Sequence, residues 1–180
     1  MLILASASPT RAEILKAHGI DFVQQPTAAD EESIPTKNPK SFVYLATRLK
    51  MAHAIEELGA DKKILCADTV VTARGEILRK ANALDEARRT LMLQSGSETS
   101  ILTCTIYRTP QLEYIDLSAT VYDFAPFDKG HLEDYLQSGE WEGKAGACMV
   151  EGFCKPYIRA VRGLESCAMG LTIEKLKPFL

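Results

Sequence analysis

The chain opens with a short apolar strand, a polar turn and a helix, and this order constrains the fold more than any other feature of the sequence. Residues 2–5 are apolar, Ser8 is a good helix N-cap, and Pro9 suits the first helical position, where a backbone N–H has no intrahelical partner. The helix start directs free N–H groups beyond the strand, and Arg11 adds a bidentate donor. Two interpretations stay open from these residues alone: an ordinary strand-to-helix turn of an α/β protein, and a phosphate-binding turn.

Strand-like and helix-like segments alternate in the first half of the chain, and a long hairpin dominates the second half. Strands are predicted at 1–5, 21–25, 63–67, 99–108, 112–124 and 157–162, and residues 69–73 either continue or resume the strand at 63–67. Helices are predicted at 8–18, 38–58, 84–94, 128–137 and 173–180. The apolar spacing in the second helix predicts a buried face of Phe42, Leu45, Ala46, Leu49, Ala52 and Ile55. We expect an α/β fold in which helices pack on a mixed sheet.

Size and composition narrow the class of protein. With 180 residues and 46% hydrophobic content, the chain can bury one substantial core, or two small lobes that share a sheet. It contains no repeat, low-complexity tract or linker, so we expect a single domain over residues 1–180.

Five cysteines without a C-x-x-C pair argue against a disulfide framework or a thiolate zinc site and favour a reducing cytoplasm. No apolar run approaches membrane-spanning length, so we expect a cytoplasmic protein rather than a secreted or membrane-inserted one. The net charge of −3 makes a nucleic acid polymer a poor partner.

Asp68 interrupts an apolar, β-branched run at 64–71. Because burying a bare carboxylate costs several kcal/mol, this side chain must be paired, bind a metal or lie at a strand end facing a cleft. We expect the strand end, since ligands gather at the carboxyl ends of strands in open α/β sheets, where the turn after Ala5 would face the same crevice. An aspartate that only caps the following turn is the alternative.

Three further charged residues are candidates for a ligand-binding site because of their sequence neighbours. Lys80 follows the Gly75 turn, and a hairpin there would return its ammonium toward Asp68. Lys144 is flanked by small residues that let a backbone approach a ligand. Glu31 lies in an acidic stretch, and carboxylates near a phosphate site hold magnesium. Each residue also has a plainer interpretation. Lys80 would then face solvent, Lys144 would lie in a flexible surface loop, and Glu31 would lie in a solvated acidic turn.

Five segments, spread over nearly the whole chain, resemble the sequence motifs of one protein family. They are LASASPTRAEIL at 4–15, ADTVV at 67–71, GEILRK at 75–80, KAGA at 144–147 and GL at 170–171. Taken together they resemble the Maf family, with its L-A-S-x-S-P-R-R-x-E-L-L, A-D-T-V-V, G-x-x-L-x-K-P, K-A-G-A and G-L-P. No single segment is specific, but five in order at compatible spacing are. Members of that family hydrolyse nucleoside triphosphates to the monophosphate and pyrophosphate.

The resemblance implies a fold and a set of site residues. The fold would be a long twisted mixed sheet flanked by helices, with two lobes around a deep cleft. The catalytic residues would be Asp68 as proton acceptor, Lys80 and Glu31, and the substrate-binding residues Ser8, Arg11, Lys144 and Glu151. It also implies a divalent cation, Mg²⁺ or Mn²⁺, held by Asp68 and Glu31, and a homodimer.

Several positions depart from the family pattern. Thr10 replaces an arginine, Glu151 replaces a glutamine, and Ala81 and Thr172 replace prolines. Lys50 lies one residue late for the family's L-A-x-x-K spacing. A charge-assisted phosphate contact is worth roughly 1.5–3 kcal/mol, so losing one weakens binding about tenfold or more.

We therefore expect metal-assisted hydrolysis at the α-phosphorus, with pyrophosphate as leaving group and Asp68 orienting or deprotonating the attacking water. Non-standard, modified or pyrimidine triphosphates are the expected substrates. Two alternatives stay open: a nucleotide-binding regulator of cell division with weak or no catalysis, and a nucleotidyltransferase. The first would bind nucleotide without forming product, and the second would keep the nucleotide on an acceptor.

Overall fold

The computed structural model describes residues 1–27 and 34–180, and this part of the chain forms a mixed α/β structure. Its strands are β1 (Leu2–Leu4), β2 (Phe22–Gln24), β3 (Lys63–Ala73), β4 (Glu76–Leu78), β5 (Glu98–Arg108), β6 (Glu113–Phe124) and β7 (Ile158–Arg162). Its helices are α1 (Pro9–Ala17), α2 (Pro39–Leu58), α3 (Leu84–Gln94), α4 (Lys129–Ser138), α5 (Glu165–Ala168) and α6 (Ile173–Leu176). Short 3₁₀ turns lie at Lys155–Tyr157 and Lys177–Phe179.

The seven strands form one mixed sheet. Its order is β2-β1-β3-β5-β6-β7, with β4 paired to β3 outside this path. β1 lies parallel to both β2 and β3, whereas β4 is antiparallel to β3 and β7 is antiparallel to β6. Only a short turn joins β5 to β6, and so short a connection requires an antiparallel pair. The predicted mixed sheet with flanking helices is confirmed.

The chain forms two compact units. The first contains Met1–Thr69, Leu102–Ala119 and Leu164–Leu180, and the second contains Val70–Ile101 and Thr120–Gly163. The core of the first unit joins β1, α1, β3, β5 and the segment 171–176, which includes α6. Its residues are Leu2, Leu4, Ala12, Ile14, Leu15, Leu65, Ala67, Tyr107, Leu171, Ile173 and Leu176. The second unit has an aromatic cluster of Phe124, Phe127, His131, Tyr135, Phe153 and Tyr157.

Side-chain caps begin α1 and α2 where the sequence predicts. Ser8 accepts a hydrogen bond from the Arg11 backbone N–H at 3.4 Å, and Asn38 accepts one from the Ser41 N–H at 3.0 Å. A proline follows each cap at the first helical position. These local signals set both helix starts, because a capped N-terminus satisfies donors that would otherwise have no partner.

The buried face of α2 differs from the predicted one. Leu45 and Ala52 are exposed, and the buried residues are Phe42, Val43, Ala46, Thr47, Met51 and Ala54. Burial of Thr47 costs little because its hydroxyl donates to the Val43 carbonyl oxygen, 2.7 Å away. The apolar pattern therefore placed the buried face at the wrong angle around the helix axis.

The position expected for Asp68 and the bounds predicted for one helix also differ. β3 is continuous from Lys63 to Ala73, so Asp68 lies inside a strand and not at its end. The predicted helix at 173–180 is the short α6 followed by a 3₁₀ turn, because Pro178 has no backbone N–H to continue the α-helical ladder. Among the helices that the structure describes, none combines the length and apolar character needed to cross a membrane.

Candidate functional site

The Arg11 guanidinium is held by three segments of the first unit. Its Nε donates to the Gly170 carbonyl oxygen at 2.8 Å, and its Nη1 donates to the Ser6 hydroxyl at 3.0 Å. Its Nη2 donates to the Thr69 hydroxyl at 3.1 Å. The first turn of α1, the turn after β1, the middle of β3 and the segment before α6 therefore meet at this side chain.

Gly170 has to be a glycine in this arrangement. Its φ is +100°, a backbone conformation that other residues rarely adopt. A Cβ there would lie 3.3 Å from both Arg11 Nε and Thr69 Oγ1. The residue thus lets the backbone approach the guanidinium closely enough to accept its hydrogen bond.

Ser8 lies beside this group as the cap of α1. Its hydroxyl accepts from the Arg11 backbone N–H, so the start of the helix and the guanidinium belong to one structure. The Gln24 side-chain amide from β2 donates to the Ser6 carbonyl oxygen at 2.8 Å and holds the turn from the other side. The positive end of a helix and a guanidinium together suit a phosphate group.

Asp68 is buried and forms an ion pair with Lys50. The Lys50 Nζ lies 2.6 Å from the Asp68 Oδ1, and the two side chains are only 19% and 10% exposed. A carboxylate in the apolar run at 64–71 had to be paired, bind a metal or lie at a strand end, and Asp68 is paired. The expected position at a strand end is wrong, because Asp68 lies inside β3. The charge is stabilised by the ammonium from α2 instead of by a position at the rim of the sheet.

Lys50 is the site residue that the sequence motif located poorly. It follows Thr47 by three residues, so it lies next to the true buried face of α2. The signal that could have found it is the need of a buried aspartate for a cation, combined with the correct helix face.

Both cations act on the same buried thiol. Burial raises the pKa of the Cys66 thiol to about 12, and the positive charges of Lys50 and then Arg11 oppose that rise. Cys66 and Asp68 are two residues apart on β3, so their side chains share one face of the strand, while Thr69 faces the other way. Residues 66–69 of β3 therefore carry the Asp68 carboxylate, which pairs with the Lys50 ammonium, and the Thr69 hydroxyl, which accepts from the Arg11 guanidinium.

The second unit brings the segments of Lys80 and Lys144 together. The backbone of Lys80 pairs with Ala145 in an antiparallel bridge, and the Gly146 N–H donates to the Arg79 carbonyl oxygen at 3.1 Å. Gly146 has φ +66°, and a Cβ there would lie 2.9 Å from the Val71 side chain, which explains the glycine in KAGA. The side chain of Lys80 is exposed.

The remaining predicted site residues are Glu151 and Glu31. Glu151 belongs to the second unit and is exposed. Glu31 lies outside the described residues, so the catalytic and metal-binding roles expected for it stay predictions.

Within residues 1–27 and 34–180, the structure contains no group of three or more His, Cys, Asp or Glu that could hold a metal ion. Mg²⁺ is nevertheless commonly bound by one or two carboxylates together with substrate phosphates and water. Asp68 fits the role of one such ligand because it offers a single buried carboxylate, of which Lys50 contacts one oxygen.

Comparison with known proteins identifies the family of the chain. The sequence model of the family described as "Maf-like protein" matches residues 1–180. The chain is similar to a protein of a Nitratiruptor species, with 52% identity over 98% of this chain and 96% of the relative. It is also similar to a protein of Helicobacter pylori (strain Shi470), with 42% identity over 97% of this chain and 92% of the relative.

A third relative, from Campylobacter jejuni subsp. jejuni serotype O:23/36 (strain 81-176), is 37% identical over the full length of both chains. All three relatives are named nucleoside triphosphate pyrophosphatase. With the family match over its whole length and relatives of this similarity, the chain belongs to the Maf family.

Proposed function

We propose that this protein hydrolyses nucleoside triphosphates to the nucleoside monophosphate and pyrophosphate, with Asp68 as the proton acceptor. The observation that carries the proposal is the buried Asp68–Lys50 ion pair, adjacent in β3 to the threonine that holds the Arg11 guanidinium. The names of the relatives, which match over nearly the whole chain, support the same activity.

Arg11 has the role of holding phosphate oxygens. Its guanidinium is partly buried and oriented by Ser6, Thr69 and Gly170 before any ligand arrives. Phosphoryl transfer depends mainly on positioning and on neutralising charge, and a donor that is already oriented costs little reorganisation during the reaction. The Thr10 N–H at the start of α1 adds a backbone donor to the same phosphate, whereas the Arg11 and Ala12 N–H groups already donate to Ser8.

Asp68 has the role of orienting the attacking water and accepting its proton. Lys50 compensates the charge of the carboxylate and fixes one of its two oxygens. General base catalysis of this kind typically contributes about 100- to 10,000-fold. A Mg²⁺ or Mn²⁺ ion held in part by Asp68 would supply charge neutralisation at the phosphates.

The finer parts of the proposal rest on the resemblance. It assigns Lys80 and Lys144 to binding the substrate phosphates and Glu151 to binding the nucleotide. It assigns Glu31 to holding the metal ion together with Asp68. It also favours non-standard, modified or pyrimidine triphosphates as substrates, a homodimer, and a cytoplasmic location.

An assay with a panel of triphosphates tests the proposal. Purified protein is incubated with each nucleotide and Mg²⁺ or Mn²⁺, and pyrophosphate and orthophosphate are measured separately. We expect pyrophosphate, and we expect Asp68→Asn to lower kcat about 100- to 10,000-fold. The matched control is Asp116→Asn, because Asp116 is another lysine-paired aspartate of the first unit, 3.0 Å from Lys175 Nζ.

Three results would contradict the proposal. An Asp68→Asn variant with the parental rate makes Asp68 a structural residue. Nucleotide binding by the parent without product supports the regulator instead, and nucleotide retained on an acceptor supports a nucleotidyltransferase.

A further inference from the structure

A fully buried threonine on β5 connects the groups that hold Arg11. The Thr103 Oγ1 lies 2.9 Å from the Thr69 Oγ1 and 2.7 Å from the Cys167 carbonyl oxygen. All of these atoms belong to the first unit. Thr103 is therefore connected to Arg11 through other residues: it contacts Thr69, which accepts from Arg11, and it contacts Cys167.

The direction of these hydrogen bonds follows from the donors present. A carbonyl oxygen only accepts, so the single hydroxyl hydrogen of Thr103 is donated to Cys167. Thr69 must then donate its own hydrogen to Thr103, because the Thr103 hydrogen is already used. The Thr69 oxygen is left as an acceptor, and Arg11 Nη2 donates to it at 3.1 Å.

The second acceptor of Arg11 depends on the same residue. The Cys167 carbonyl that Thr103 binds also accepts from the Gly170 N–H at 3.0 Å, which closes the turn after α5. This turn presents the Gly170 carbonyl oxygen to Arg11 Nε. Thr103 therefore supports two of the acceptors that orient the guanidinium, from β3 and from the turn.

We propose that Thr103 is a positioning residue that orients the Arg11 guanidinium for phosphate binding through Thr69 and the Cys167–Gly170 turn. The inference rests on the proposed function, since Arg11 is assigned to the substrate phosphates there. It gives the buried hydroxyl of Thr103 a role in substrate affinity and not only in folding.

Thr103→Val removes the hydroxyl and keeps the shape of the side chain. We expect KM for the best nucleoside triphosphate to rise about 10- to 100-fold, as expected for a lost charge-assisted contact, with kcat changed less than about threefold. The affinity for inorganic pyrophosphate with Mg²⁺, measured by calorimetry, falls in parallel. Thr103→Ser restores the hydroxyl and is expected to stay within about threefold of the parent in KM.

The strand offers a matched control in Thr105. It is also fully buried, two residues further along β5, and its hydroxyl has no hydrogen-bond partner within the described part of the chain. Thr105→Val is therefore expected to leave KM unchanged. A Thr103→Val variant whose KM equals that of Thr105→Val would overturn the proposal.

A double-substitution cycle separates positioning from a general loss of structure. If Thr103 acts through Arg11, Thr103→Val costs less than about threefold in pyrophosphate affinity once Arg11→Lys is present. The same loss in both backgrounds would refute the inference. If Thr103→Val fails to fold, Thr69→Val serves instead. It removes the hydroxyl that accepts from Arg11 and leaves the Thr103–Cys167 hydrogen bond intact.

Thr69→Val is expected to show the same rise in KM and the same non-additivity with Arg11→Lys. An unchanged KM in folded Thr69→Val would also overturn the inference. These outcomes are distinct from failure of the proposed function, in which the parent protein itself releases no pyrophosphate from any nucleotide. The calorimetric cycle still reports on Arg11 in that case.

Discussion

Replacing Lys50 with methionine leaves the Asp68 carboxylate buried without its cation. Methionine keeps a long unbranched stem, so the substitution removes the charge with little change in packing. The Asp68 side chain is only 10% exposed, and water therefore cannot replace the ammonium. We expect a large loss in the free energy of unfolding, well beyond that for a surface ion pair.

The magnitude follows from the geometry of the pair. At 2.6 Å and an effective dielectric constant of about 20, the attraction between two unit charges is about 6 kcal/mol. Moving the ions out of water costs several kcal/mol each, so the net gain from the intact pair is small. Removal of one partner leaves that cost uncompensated, and Lys50→Met should lower stability by about 3–5 kcal/mol.

Urea unfolding followed by circular dichroism measures this loss. The double variant Lys50→Met/Asp68→Asn no longer buries a charge and should recover about 2 kcal/mol relative to Lys50→Met. Arg48→Met is the control on the same helix, since Arg48 pairs with Glu113 at 2.7 Å but both side chains are about 40% exposed. That pair should contribute about 0–1 kcal/mol. If Lys50→Met costs no more than Arg48→Met, the buried-pair reasoning is wrong.

Two more predictions follow from the first unit. Gly170→Ala should lower stability by about 1–3 kcal/mol and raise KM, because φ is +100° and the new Cβ would crowd Arg11 Nε and Thr69 Oγ1 at 3.3 Å. At Gly19 φ is +69°, and apart from its chain neighbours no atom of the described residues would lie within 4 Å of an added Cβ, so Gly19→Ala should lose stability but keep its KM. An unchanged KM in Gly170→Ala would refute the crowding argument. The raised pKa of Cys66, about 12 against an ordinary 9.0, makes the folded state keep a proton that the unfolded state releases. The free energy of unfolding should therefore fall between pH 9 and 12, with a smaller slope in Cys66→Val, as measured by urea unfolding across that range; equal slopes would contradict it.

Local signals predicted the elements well. The caps at Ser8 and Asn38, each followed by proline, placed the starts of α1 and α2, and the helix at 84–94 has the predicted bounds. Capping and hydrophobic periodicity depend on residues a few positions apart, which a sequence displays directly.

The orientation of α2 and the setting of Asp68 were predicted wrongly for a shared reason. Thr47 is buried because its hydroxyl is satisfied within the helix, and Asp68 is buried inside β3 because Lys50 reaches it from α2. Polarity alone predicts exposure or a strand end for such residues. Whether a polar group can be buried depends on a partner supplied by the fold.

The motif residues could be named from the sequence, but the residues that orient them could not. Arg11, Lys80 and Lys144 stand in recognisable segments, whereas Thr103 is one of several threonines in β5 and has no local signal. Its assignment needs the distances to Thr69 and Cys167, which are far from it along the chain.

The order of elements, the helix starts and the membership in the Maf family were determined by the sequence, because caps, periodicity and motif spacing act over short stretches. The tertiary structure alone decided which cation compensates Asp68 and which groups orient Arg11. Charge compensation and hydrogen bonding act through space over a few ångströms, between residues that the order of the chain does not bring together.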